Sequence, residues 1–231
     1  MTSSMIDIPS ADGKSFQGYL SLPPTGTGPG IVLIQEIFGV NSHIRAVADQ
    51  YALDGYVVLA PDLFWRQQPG VNLGYTEADF GSAMGFMQKM DFGLAVQDLS
   101  ATVSALRARA ECTGRVASLG YCMGGLLSYL SAANAGVDAA VCYYPGSIET
   151  RLDQADKVRC PILIHFAEKD HYISAAAVKA VQAKFADVKN AVIEVYPGVD
   201  HGFNCWERPA YDQKTSSLAH GLSLSFLAKA Y

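Results

Sequence analysis

An α/β fold, with a mainly parallel sheet and helices on both faces, is what this sequence predicts. Three observations lead to it. Short continuous apolar runs, among them Ile31–Ile34, Tyr56–Ala60 and Ala139–Tyr144, alternate with longer helix-compatible stretches. The runs end in Gly or Pro, as strands covered on both faces do. The chain has 231 residues, 50% of them hydrophobic and 17% charged, which suits one domain over residues 1–231 with a large core.

The elements follow in order. Met5–Ile8 and Phe16–Leu22 flank Asp12-Gly13 and read as a β-hairpin. After a Pro/Gly loop over residues 23–30, Ile31–Ile34 is a buried strand. Asn41 or Ser42 caps a helix through Leu53, with Gly55 as its stop signal. Tyr56–Ala60 is the next strand, and Phe64 to Tyr75 is irregular. Glu77 to Arg109 has a helical pattern interrupted near Asp91–Gly93. Val116–Leu119 is a strand, with a helix from Met123 to about Ala135. Ala139–Tyr144 and Pro161–Phe166 are strands, and Ser174 caps a helix to about Phe185. Ala191–Tyr196 is the last strand, and a final amphipathic helix runs from Ala210 towards Leu227.

Composition excludes several classes. A net charge of −5 argues against nucleic acid as a partner. The apolar runs are too short and too broken for a membrane span, and the N-terminus lacks the pattern of a signal peptide. A cytoplasmic monomer acting on a small molecule is the expectation. The five cysteines (112, 122, 142, 160 and 205) are scattered, odd in number and without a Cys-x-x-Cys pair. Neither a zinc site nor a disulfide framework is expected, and no metal or organic cofactor is implied. Cys142 and Cys160 read as inert core residues.

The chemistry centres on Gly120-Tyr-Cys122-Met-Gly124-Gly125, placed between a strand and a helix. It is the Gly-x-Ser-x-Gly nucleophile elbow with cysteine in place of serine. The glycines permit a sharp, strained turn, and the helix N-terminus behind it favours negative charge. A Gly-rich turn with a structural cysteine is the plain alternative. Against it stands the order Cys122, Asp170, His201, each just past a strand, which is the order of α/β-hydrolases. For the acid, Glu168 and Asp200 compete with Asp170. For the base, His43, His165, His171 and His220 compete with His201. His165 lies inside an apolar strand and reads as a core histidine, and His171 adjoins the acid and points away from it.

The sequence resembles the dienelactone hydrolase family of α/β-hydrolases over nearly the whole chain. The likeness rests on Gln35-Glu-Ile-Phe-Gly-Val-Asn41, Ala60-Pro-Asp-Leu-Phe64, Gly120–Gly125, Tyr143-Tyr144, Asp170-His171 and Asp200-His201-Gly-Phe203. The resemblance implies a Cys122–His201–Asp170 triad attacking an ester or lactone carbonyl. It also implies a buried Glu36 that takes the proton of the resting thiol, and an oxyanion hole from the backbone N–H groups of Ile37 and Met123. Carboxylesterase or thioesterase activity on the same triad, or a non-catalytic thiol-bearing protein, are the other readings.

Two positions depart from the family. Its members hold a substrate carboxylate with two arginines, one near Phe80 and one four residues past the histidine. Here Lys89 is the only basic residue between Arg66 and Arg107, and Cys205 occupies the second position. Arg208 or Lys89 would have to substitute. The expected pocket wall is apolar instead: Phe38, Phe80, Met84, Phe86, Met87, Tyr144, Phe203 and Trp206, with Cys205. A more apolar ester or lactone is therefore the expected substrate.

Overall fold

The computed structural model describes residues 1–231. β1 (Thr2–Pro9) and β2 (Ser15–Leu22) form the antiparallel hairpin, with Ile8 opposite Phe16. β2 pairs antiparallel with β4 (Val57–Pro61), which pairs parallel with β3 (Gly28–Ile34). β5 (Cys112–Tyr121), β6 (Ala139–Tyr143), β7 (Ile162–Ala167) and β8 (Ala191–Tyr196) continue the sheet in parallel. The sheet order is β1-β2-β4-β3-β5-β6-β7-β8, so the chain leaves β3 in two directions and opens a crevice at the carboxyl ends of the strands.

The apolar runs are the central strands. Every residue of β4, β6 and β7 is buried. β8 lies at the edge and exposes Val192 and Val195. Six α-helices cover the faces: α1 (Ser42–Leu53), α2 (Glu77–Gln88), α3 (Phe92–Arg107), α4 (Met123–Asn134), α5 (Ala175–Phe185) and α6 (Gln213–Ala230). No helix is long and apolar enough to cross a membrane.

Local chemistry sets the helix starts. Asn41, Thr76, Asp91, Ser174 and Asp212 each accept a hydrogen bond from a backbone N–H of the first turn. Helix α4 alone begins without a side-chain cap, at Cys122. Asp212 also explains why the last helix starts at Gln213 rather than at Ala210: the chain turns first, with Tyr211 N–H bonded to the Arg208 carbonyl. β5 begins earlier than its apolar run, at Cys112, because the polar residues 113–115 are exposed while still extended. A 3₁₀ segment over Ile148–Lys157, entered through the left-handed Ser147, follows β6 and has no counterpart in the sequence pattern.

The turn between β5 and α4 fits only with glycine on either side of it. A Cβ on Gly120 would stand 2.0 Å from the carbonyl oxygen of Gly124, and one on Gly124 would stand 2.3 Å from that of Ile34 in β3. Neither neighbour is a flexible side-chain end, so α4 would have to move off the sheet. Gly124→Ala should therefore lower stability by more than about 3 kcal/mol, measured by denaturant unfolding. Gly221→Ala, in open space on α6, should instead raise it by up to about 1 kcal/mol. Equal effects would contradict the packing account.

Candidate active site

Cys122 sits at φ 57°, ψ −117°, a conformation that non-glycine residues rarely adopt. The backbone around it holds the turn in place: its N–H donates to the Tyr143 carbonyl at 3.0 Å, and its carbonyl accepts from Leu126. The side chain is half-buried at the uncapped end of α4. Met123 N–H, in the first turn of that helix, has no intrahelical acceptor. The N–H of Ile37, on the loop after β3, has no acceptor in the protein either. Both expected oxyanion donors are thus unpaired.

His201 and Asp170 come together from the loops after β8 and β7. Asp170 Oδ2 lies 2.8 Å from His201 Nδ1, and both side chains are buried. Asp170 Oδ1 accepts from the backbone N–H groups of Tyr172 and Ile173, at 2.8 and 3.0 Å. The carboxylate acts only as acceptor, so the proton of this pair belongs to Nδ1. Nε2 is left without a partner inside the protein. Burial pulls the His201 pKa down, but the Cys122 sulfur and the Asp170 carboxylate outweigh it and push it up to about 10.

The competing residues are placed elsewhere. Asp200 pairs with the exposed His171, whose ring nitrogen lies 2.5 Å from the carboxylate. Glu168 accepts from Gly198 N–H. His165 is a buried core histidine bonded to Tyr196 and Ser223, its pKa pushed down to about 3 by burial. His220 faces Asp54. His43 is buried against Trp206, with ring centroids 4.3 Å apart.

Glu36 is 1% exposed. Its carboxylate accepts from Arg208 Nη1 and from the Tyr75 hydroxyl, each at 3.3 Å, and no hydrogen bond joins it to Cys122. Asn41, the cap of α1, donates to Tyr75 Oη at 3.2 Å. Burial and the nearby Glu36 charge push the Cys205 thiol up to about 12. Arg208 therefore reaches the site from three residues beyond Cys205, passing over Gly202, which has no side chain to block it. Lys89 does not reach it. It is exposed and lines a separate depression with Asp91, Arg151 and Gln154.

The expected wall residues divide. Phe38 packs against Tyr75, with centroids 4.6 Å apart, and lies 6.4 Å from Phe80; Met84 and Met87 are half-buried nearby in α2. Tyr144 lies 4.8 Å from the His201 ring. Phe86 stacks on Phe64 at 5.2 Å, which makes it core rather than wall. Phe203 is fully buried beneath Tyr144 and Tyr196 and supports the site from behind. Trp206 covers His43. Two aromatics escaped the sequence reading: Tyr75, in an irregular loop with no motif, and Tyr172, whose exposed ring stands 5.0 Å from His201 at the mouth. No group of three or more His, Cys, Asp or Glu side chains is placed to hold a metal ion.

A mainly parallel sheet with a strained Cys turn after β5, and an Asp–His pair brought in by the last two strands, defines an α/β-hydrolase. Comparison with known proteins narrows the class. The model of the dienelactone hydrolase family matches residues 16–231. The chain is similar to carboxymethylenebutenolidase 1 of Cupriavidus pinatubonensis, 32% identical over 229 residues covering 99% of this chain and 97% of that one. It is similar also to the carboxymethylenebutenolidase of Pseudomonas putida, 33% identical over 229 residues with the same coverage. The crystal structure of a candidate dienelactone hydrolase from Klebsiella pneumoniae superposes with a TM-score of 0.85 at 28% identity, covering 98% of both chains. The chain belongs to the dienelactone hydrolase family, and it is a hydrolase of ester or lactone bonds.

The His201 environment gives a testable titration. Its folded pKa lies above the ordinary 6.5, so its stabilising contribution is full below about pH 6.5 and is lost as pH rises through about 10. With Cys122 ionised, an NMR titration of the imidazole should show a midpoint near 10. In Cys122→Ala the midpoint should move towards neutral. An unmoved midpoint would mean that the sulfur is not the charge His201 senses.

Proposed function

We propose that the chain is a cysteine-dependent ester or lactone hydrolase of the carboxymethylenebutenolidase type. The observation that carries the reading is the geometry at Cys122: a strained residue at an uncapped helix end, beside a histidine with Nδ1 anchored to Asp170 and Nε2 unpaired. As substrate enters, Glu36 takes the thiol proton. The thiolate attacks the acyl carbon, and the N–H groups of Ile37 and Met123 hold the developing oxyanion. The C–O bond breaks as protonated His201 gives its Nε2 proton to the leaving alkoxide. A thioester on Cys122 remains. Water then attacks that carbonyl, giving a proton to neutral His201, and the C–S bond breaks to release the acid. Asp170 holds the imidazole throughout, and the proton on Glu36 returns to the sulfur.

The substrate preference is proposed to lean towards neutral, more apolar acyl groups. Phe38, Phe80, Met84 and Tyr144 supply an apolar wall, and Cys205 takes an arginine's place. The one guanidinium present, Arg208, is already engaged by Glu36. Opposed carboxylates are held best by free, forked donors.

Cys122→Ala should lower kcat for p-nitrophenyl butyrate by at least about 10⁴-fold, and mass spectrometry should find the transient acyl group on Cys122 in the wild type. Intact turnover in the variant would overturn the assignment. In the wild type, kcat/KM for that neutral ester should exceed the value for dienelactone by about tenfold or more, the worth of one good charged contact. The reverse order would restore a substrate with a free carboxylate.

A further inference from the structure

Tyr144 combines two costs that nothing inside the protein offsets. It follows β6 directly at φ 35°, a left-handed backbone for a bulky aromatic residue, of the kind that persists only where the surroundings hold it. Its side chain is fully buried, yet the hydroxyl has no hydrogen-bond partner. Of the other buried tyrosines nearby, Tyr143 Oη bonds to Ser223 and Tyr121 Oη accepts from Asn204, while Tyr51 Oη, packed against Tyr56 and His220, is likewise without a partner. A buried hydroxyl without a partner is destabilising by about 1–3 kcal/mol, so an orphan in a well-packed core calls for a reason.

Its position supplies one. The ring lies 4.8 Å from His201 and 5.4 Å from Phe203, one residue after the carbonyl that holds Cys122 N–H. Phe203 closes the ring in from behind. Burial keeps the phenol protonated, and it senses the charges of Glu36 and Arg208. The hydroxyl is therefore a permanent donor on the Glu36 side of the site.

We infer that Tyr144 is a specificity-determining residue whose hydroxyl donates a hydrogen bond to an acceptor oxygen carried on the acyl part of the substrate. The inference rests on the esterase reading and deepens it. The wall is apolar, but one donor is reserved in it, so the fitting substrates are uncharged acyl groups with a ketone, ether or hydroxyl oxygen a few bonds from the scissile carbonyl. A phenylalanine at this position would keep the ring and the backbone and remove only the donor.

The test compares Tyr144→Phe with wild type on two p-nitrophenyl esters of equal acyl length, the levulinate with its inner ketone and the valerate without one. The wild type should prefer the levulinate by about tenfold in kcat/KM, and Tyr144→Phe should bring that ratio to about one, losing about tenfold more on the levulinate than on the valerate. The variant's Tm should be unchanged or higher, because it removes an unpaired polar group. Equal loss on both esters would overturn the inference in favour of a packing role. So would no change on either ester, or a clear fall in Tm with the preference kept. A wild type that turns over neither ester overturns the esterase reading itself, and this inference with it.

Discussion

A cysteine is held at φ 57° here because backbone closes on it from both sides. Gly120 and Gly124 meet each other and the end of β3 at distances that leave no room for a Cβ, and the Tyr143 carbonyl takes the Cys122 N–H. Everything proposed for the site depends on this close approach. It holds Cys122 at the crevice and leaves the first N–H groups of α4 unpaired where a side-chain cap would have taken one. The strain is paid for by the sheet. β3, β5 and β6 are buried strands whose register fixes the carbonyls that the turn leans on.

The sheet was legible in the sequence because strands covered on both faces must be apolar throughout, and Gly and Pro mark their ends. Capping residues made two of the six helix starts legible: Asn41 and Ser174 cap α1 and α5. The last helix was misplaced because Ala210 continues the apolar period but sits in a turn, and the start is set by Asp212. The 3₁₀ segment after β6 has a polar, non-periodic sequence, and nothing local announces it.

For the site, the order Cys122, Asp170, His201 and the placement of each after a strand made those three residues legible. Contacts between distant loops were not. Tyr75 lies in a stretch without a motif, yet it bonds to Glu36. Arg208 is displaced from the expected position by three residues and still arrives, because the turns after Gly202 bring it back over that glycine. Phe86 belongs to the expected wall, but its ring stacks on Phe64. Sequence spacing places a residue on a helix; the packing partner decides which side of the site it serves.

Asp200 joins the two loops that carry Asp170 and His201. Its carboxylate accepts from the backbone N–H groups of His171 and His201 and faces the His171 ring. The residue after the acid and the base itself are thus pinned to a single side chain, which ties the two loops together. Helix α5, between them in the chain, makes none of these hydrogen bonds. Insertions or lengthened turns around α5 can accumulate over evolutionary time without altering how the acid meets the base, so this segment is free to acquire new surfaces while the chemistry stays constant.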